Sequence, residues 1–231
     1  PEAENLILIS NIGQGSTSTI HLVVHFPTLY PLVVKNYSLD MEKYFYIEKK
    51  IGEEIKSQKI ANLASFYGYI DKSNQKSLIM RFYPNGSIED ICKKKLEESE
   101  ISTMYKAIYN GITNLHKIHY IHRDIKPDNI LFDNNNEPVI IDFNGAISAE
   151  EKDKCEHHIS EVGSYQFSSP QLLNGEYYDY KTDNYSLSKI FNIYFPFFTH
   201  TITKSYNFSL NFRFCFVILI YFLIYLMILF I

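Results

Sequence analysis

Apolar residues in the first third of the chain fall into short runs separated by Gly, Ser and Thr. Leu6–Ile9, Ile20–His25 and Leu32–Lys35 read as strands, because β-branched side chains pack well on a pleated surface and small polar residues make the turns between them. From about Tyr44 to Ile60 the period changes. Ile47, Ile51 and Ile55 lie four apart, which stacks them on one helical face. Two further strand-like runs, Ala64–Ile70 and Leu78–Phe82, precede Tyr83-Pro84-Asn85-Gly86, a turn or connector whose Pro and Gly interrupt regular structure.

Beyond that break the chain is mainly helical. Ile101, Met104, Ile108, Ile112 and Leu115 recur at three and four residues, the mark of an amphipathic helix against a core. Ile130–Phe132 and Val139–Ile141 read as short strands joined by the polar turn Asp133–Asn136. A β-rich half followed by a helix-rich half predicts an α+β chain in two lobes, divided near residues 82–86. No internal repeat and no low-complexity linker precedes residue 190.

Composition narrows the function classes. The 231 residues suffice for a sizeable core, and a net charge of −4 leaves no basic footprint for nucleic acid. Lys93, Lys94 and Lys95 run straight into Glu97 and Glu98 and read as a solvated helix face. Cys92, Cys155 and Cys215 are odd in number and widely spaced, which suits a reducing compartment rather than a disulfide framework. Cys155 beside His157 and His158 reads as a polar loop, since adjacent histidines do not readily face one ion. The first residue is Pro and no signal peptide follows, so the chain is expected to be a fragment at its N-terminus.

The strongest chemical signal is Tyr120-Ile121-His122-Arg123-Asp124-Ile125-Lys126-Pro127-Asp128-Asn129. It resembles the catalytic loop of the eukaryotic protein kinases, H-R-D-x-K-x-x-N, of the serine/threonine type. The resemblance implies that Asp124 accepts the proton of a substrate hydroxyl, that Lys126 contacts the transferring phosphate, and that Asn129 offers a neutral oxygen to Mg2+. Asp142-Phe143-Asn144 follows an apolar strand and looks like the metal-binding D-F-G element, with Asp142 as the second metal ligand. Its third position departs from the pattern. Asn144 replaces Gly and Gly145 comes one residue later, a change expected to be borne because Asn tolerates positive φ.

Ile12-Gly13-Gln14-Gly15-Ser16-Thr17-Ser18-Thr19-Ile20 resembles the glycine-rich loop over ATP, with the small Ser18 where a third Gly usually stands. The resemblance makes these residues and Lys35, on the strand that follows, the nucleotide-binding set. The acidic partner of Lys35 stays open between Glu48 and Glu54, which flank the Ile47/Ile51/Ile55 stripe about equally. Met80, within Leu78-Ile79-Met80-Arg81-Phe82, resembles the residue at the back of the adenine pocket, at once core and pocket wall.

Gly163-Ser164-Tyr165-Gln166-Phe167-Ser168-Ser169-Pro170-Gln171 looks like the substrate-docking segment that ends in A-P-E, with Gln171 in place of the acid. Asp183-Asn184-Tyr185-Ser186-Leu187 resembles the start of the large lobe's central helix, which implies that Asp183 holds the backbone of the catalytic loop. Ser148, Ser160, Ser164 and Tyr165 are hydroxyls whose phosphorylation would place a charge near Arg123.

The resemblance covers residues 5–190: a smaller lobe at about 5–82 and a larger one at about 87–190, expected to stop after the start of its central helix. Residues 191–231 form an apolar tail, and 214–231 are eighteen residues without a charge, after Arg213. Three readings stay open: a membrane anchor, long enough at about 1.5 Å per residue; truncated or out-of-frame coding; or a divergent buried helix. The expected function is transfer of the γ-phosphoryl group of ATP, with Mg2+, to Ser or Thr of protein substrates in the cytoplasm. The alternatives are a nucleotide-binding pseudokinase scaffold and a membrane-tethered remnant.

Overall fold

The β-branched runs of the first third pair into one antiparallel sheet of five strands in the order β1-β2-β3-β5-β4. A computed structural model describes residues 3–150, 164–196 and 198. The strands are β1 (Leu6–Gln14), β2 (Ser18–His25), β3 (Tyr30–Tyr37), β4 (Phe66–Lys72) and β5 (Gln75–Arg81). All five differ in extent from the sequence reading, and at two of them the cause is local. β1 runs past Ile9 because register shifts at Leu8/Ser10 and Asn11/Gly13 let polar residues stay in the ladder with β2. β5 begins at Gln75 because a tight hairpin sets Lys72 opposite Gln75. Its polar start has no alternating signature, and buried Ser77 is satisfied by donating to Asn36 Oδ1 at 2.6 Å.

Alternation along β3 sends Leu32 and Val34 into one core cluster with Val23 and Ile79, and Tyr37 into a second with Phe45, Phe66 and Leu78. Lys35 therefore shares a face with Tyr37, the face covered by α1 (Glu42–Gln58). That helix buries Phe45, Glu48, Ile51, Gly52 and Ile55. Ile47, expected on the apolar stripe, is only half-buried, and the acidic Glu48 takes its place against the sheet. Gly52 permits the close approach, since a Cβ there would lie 2.9 Å from the Phe66 ring.

After β5 the chain crosses to the helical lobe through the predicted break. Asn85 fixes the crossing by donating to the Asp133 carbonyl at 2.7 Å and to Asn136 Oδ1 at 3.0 Å. α2 (Ile88–Cys92) starts in a capping box of Ser87 and Asp90. α3 (Glu98–Lys117) buries Met104, Ile108, Ile112 and Leu115 of the face read from the sequence, with Tyr105 beside them, while Ile101 is half-buried. Beneath it lie two small antiparallel pairs, β6 (Tyr120–Ile121) with β9 (Ile147–Ser148) and β7 (Ile130–Phe132) with β8 (Pro138–Ile140). α4 (Pro170–Asn174) and α5 (Lys181–Tyr194) follow. The backbone joins the lobes directly: Ala64 N donates to the Ile140 carbonyl at 2.9 Å, and Ile140 N to the Asn62 carbonyl at 3.0 Å.

The architecture is the two-lobed α+β arrangement expected, with a β-rich first lobe and a helical second. The chain divides into two compact units, Pro1–Ile190 and Phe191–Ile231. All the site residues below lie in the first. Among the described residues no helix is long and apolar enough to cross a membrane. The stretch 214–231, Cys155 with its two histidines, Ser160 and Cys215 lie outside the described residues.

Candidate active site

Two carboxylates and an amide converge on Lys35. Its Nζ donates to Glu48 Oε2 at 2.7 Å, to Asp142 Oδ1 at 2.8 Å and to Asn144 Oδ1 at 3.2 Å. β3, α1 and the turn after β8 supply these groups from three stretches distant in sequence. Burial works against the ammonium charge, but Asp142 and Glu48 outweigh it and hold the Lys35 pKa above its ordinary value. Burial likewise opposes the Asp142 carboxylate, and Lys35 outweighs it, holding that group below the usual carboxylate range. Tyr37 donates its hydroxyl to Glu48 Oε2 and also reaches Asn144 Oδ1 at 3.1 Å. Burial, and then the Glu48 charge, push the Tyr37 hydroxyl well above its usual pKa, so it remains a donor.

The second cluster surrounds Asp124. Lys126 Nζ lies 2.8 Å from Asp124 Oδ2. Asn129 Nδ2 donates to the Asp124 carbonyl at 2.9 Å and to Oδ2 at 3.1 Å. Ser164 donates to Asp124 Oδ1 from its amide at 3.1 Å and from its hydroxyl at 3.4 Å. Asp183, wholly buried, accepts from the amides of His122 at 2.8 Å and Arg123 at 2.9 Å, and its Oδ2 lies 2.8 Å from His116 Nε2. These bonds hold a backbone that would otherwise relax, since Arg123 sits at φ 66° and Asp142 at φ 64°. Left-handed conformations of non-glycine residues cost energy and persist where surroundings over-determine them. Arg123 Nε, donating to the Gly145 carbonyl at 2.6 Å, links the two strained segments.

Both clusters open onto one cavity of about 600 Å³ between the lobes. Its walls include Gly15, Ser16, Thr17, Ser18 and Ile20 from the β1–β2 hairpin, Lys35, then Asp124, Lys126, Asp142, Asn144 and Gly145. A family model described as the protein kinase domain matches residues 6–211, most of the chain. The chain belongs to the protein kinase family.

Similar proteins agree with the kinase assignment. The chain is 31% identical over 182 residues to mitogen-activated protein kinase kinase 3 of Arabidopsis thaliana, covering 76% of this chain and 35% of that protein. It is 30% identical over 192 residues to mitogen-activated protein kinase kinase 2 of the same plant, covering 80% and 52%. With the serine/threonine-protein kinase cst-1 of Caenorhabditis elegans it shares 27% over 191 residues, covering 81% and 37%. The chain thus spans about a third to about a half of the length of these three relatives.

Within this kinase fold the residues singled out from sequence occupy four settings. Lys35, Asp124, Lys126, Asp142 and the loop residues Gly15, Ser16, Thr17, Ser18 and Ile20 line the cavity. Asn129 sits behind it, bonded to Asp124. Ile12, Gly13, Gln14 and Thr19 belong to the flanking strands and are not among the lining residues. Met80 packs beside the cluster of Tyr37, Phe45, Phe66 and Leu78, as core, and is likewise outside the lining.

The structure chooses between the two acids: Glu48 meets Lys35, whereas Glu54 Oε1 accepts from Gln58 Nε2 at 3.3 Å on the same helix. It also corrects one expectation. The positive φ falls at Asp142, and Asn144 lies in a 3-10 turn, Phe143–Gly145. Gln171 is exposed in α4, whose N-cap Ser169 instead bonds Thr182 Oγ1 at 2.6 Å. Arg123, expected to meet a phosphate, places Nη1 3.1 Å from the Tyr178 hydroxyl. Ser164 occupies the Asp124 carboxylate, and Tyr165 is exposed.

Sequence reasoning missed Tyr37, Thr17 as a side-chain ligand of Asn144, and His116 behind Asp183. Only the alternation that placed Tyr37 on the Lys35 face carried any signal for the first. Nothing local marked the other two, because each contact joins segments far apart in the chain.

Proposed function

We propose that the chain is a protein serine/threonine kinase domain, transferring the γ-phosphoryl group of ATP to Ser or Thr hydroxyls of protein substrates. The observation that carries this reading is the presence of Asp124, Lys126, Lys35 and Asp142 in one cavity roofed by the Gly15–Ser18 hairpin. Phosphoryl transfer demands positioning and charge neutralisation more than covalent chemistry. Asp124 takes the hydroxyl proton, Lys126 and Lys35 neutralise phosphate charge, and the small hairpin residues let backbone amides approach the phosphates.

The donor set fits Mg2+. Asp142 spends Oδ1 on Lys35 while its side chain keeps about a third of its surface, at 32%. Asn129 spends its nitrogen on Asp124 and keeps an amide oxygen. One charged and one neutral hard oxygen are what a small divalent cation takes from protein when phosphates and water complete its shell. When bound, the ion would neutralise phosphate charge.

The same reading assigns residues 5–190 to the kinase domain, in a cytoplasmic setting, and 191–231 to an apolar tail. A scaffold that binds nucleotide without turnover is the second reading, favoured by Asn144 and Gln171 at two positions that depart from the family pattern. Transfer from labelled Mg-ATP to a generic basic protein decides between them, with Asp124→Asn as the control. Transfer by the full chain that disappears in Asp124→Asn supports the kinase. Mg-ATP binding without any transfer favours the scaffold, and no binding by a folded chain sinks both.

A further inference from the structure

Asn144 does something that the usual glycine has no atoms to do. Its Oδ1 accepts from Lys35 Nζ at 3.2 Å and lies 3.1 Å from the Tyr37 hydroxyl, whose one proton Glu48 shares. Its Nδ2 donates to Thr17 Oγ1 at 2.9 Å, across 127 positions of sequence. The orientation of the amide follows from its neighbours. Turning it over would set the NH2 group against the Lys35 ammonium, which has donors only.

Thr17 lies at the tip of the β1–β2 hairpin, between strands ending at Gln14 and beginning at Ser18. Among the described residues, the backbone bonds of this tip are few. Gly15 N donates to the Ser18 carbonyl at 2.9 Å, and Ser38 N reaches the Thr17 carbonyl at 3.4 Å. A tip of Gly and Ser loses much conformational freedom when it is held still. A side-chain bond to a rigid partner lowers the cost of ordering such a loop around a ligand. Asn144 is such a partner, because Lys35 and Tyr37 pin it from β3.

We infer that Asn144 is a positioning residue that clasps the glycine-rich loop at Thr17 to the Lys35–Glu48–Asp142 cluster, so that the loop's amides are ordered over the cavity before phosphates enter. The inference rests on the nucleotide reading above only for what the ordered loop receives. The clasp itself stands on the contacts of Asn144.

Hydrogen exchange over residues 13–18 of the full chain tests it, alongside equilibrium binding of Mg-ATP. Asn144→Gly and Thr17→Val are each expected to speed exchange of these amides roughly three- to tenfold, the equivalent of one lost hydrogen bond. The double variant is expected to be no faster than the faster single one, since both remove the same bond. Thr17→Ser keeps the hydroxyl and is expected to retain the parent's slow exchange. The Mg-ATP dissociation constants of Asn144→Gly and Thr17→Val rise by a similar factor.

Unchanged exchange in both single variants, or effects that multiply in the double variant, overturns the clasp. If Asn144→Gly fails to fold, the contrast of Thr17→Val with Thr17→Ser decides alone. A folded parent chain that binds no Mg-ATP sinks the nucleotide reading, while the exchange rates still decide the clasp.

Discussion

The ammonium of Lys35 and the carboxylate of Glu48 meet at 2.7 Å with both side chains almost wholly out of water, at 3% and 2% exposure. Taking two charges into a protein interior is costly, and their attraction offsets that cost only when geometry is good and remaining polar atoms are satisfied. Here they are. Glu48 also accepts from the Tyr37 hydroxyl and, at 3.3 Å, from the Phe143 amide, while Lys35 reaches Asp142. The pair therefore fixes α1 to the sheet and the turn at Asp142 and Phe143 to both.

Removing one partner should expose that dependence. Tyr37→Phe takes one donor from buried Glu48 and is expected to lower unfolding free energy by about 1–2 kcal/mol. Glu48→Ala, which strands a buried ammonium beside Asp142 alone, is expected to cost more. It should also lower kcat/KM for Mg-ATP at least about tenfold through misplacement of Lys35. Urea denaturation and steady-state kinetics on the two variants check both orders of effect.

Asp183 presents a second dependence. Its carboxylate accepts two backbone amides, and Asp183→Asn brings an NH2 group against one of those donors. Loss of a buried charged acceptor is expected to cost about 1–3 kcal/mol. Release of the φ 66° conformation at Arg123 should reduce transfer while Mg-ATP binding is largely kept. A kcat unchanged in Asp183→Asn would show that the catalytic loop holds itself.

Stability should vary with pH at both extremes because of Lys35 and Asp142. Asp142 has a folded pKa below its ordinary value, so its contribution is present above about pH 4 and is lost as pH falls through the folded value. Lys35 has a folded pKa above its ordinary value. Its contribution is present below about pH 10 and is lost as pH rises through the folded value. Between those limits the pair contributes a plateau. Lys35→Met is expected to remove its alkaline contribution, measured as a smaller fall in melting temperature between pH 9 and the highest accessible pH.

Gly111 tests the packing of α3 on the lobe connection. A Cβ there would lie 2.8 Å from the Asn62 carbonyl oxygen and 3.0 Å from Ile140 Cδ1. Asn62 also accepts from Ile140 N, so the backbone cannot move freely away. Despite the helix-favouring character of alanine, Gly111→Ala is expected to destabilise the chain by about 1–3 kcal/mol. A stabilised variant in thermal denaturation would show that this contact yields.

The elements of the fold were legible where pattern is local. The strand runs, the α3 face and the break at Tyr83–Gly86 follow from side-chain periods that burial enforces residue by residue. Legibility failed at polar strand ends such as Gln75–Ser77, because pairing with a neighbour rather than apolar alternation keeps them in the ladder.

By itself the sequence determined the order of lobes and the residue types around Asp124 and Asp142, because each depends on near neighbours in the chain. Only the tertiary structure decided that Glu48 rather than Glu54 meets Lys35. It alone put the strain at Asp142 rather than Asn144, and joined Asn144 to Thr17. Helical period placed the two acids equally well. The choice between them is made by a sheet, a turn and a hairpin that arrive from elsewhere in the chain, and no local pattern encodes their meeting.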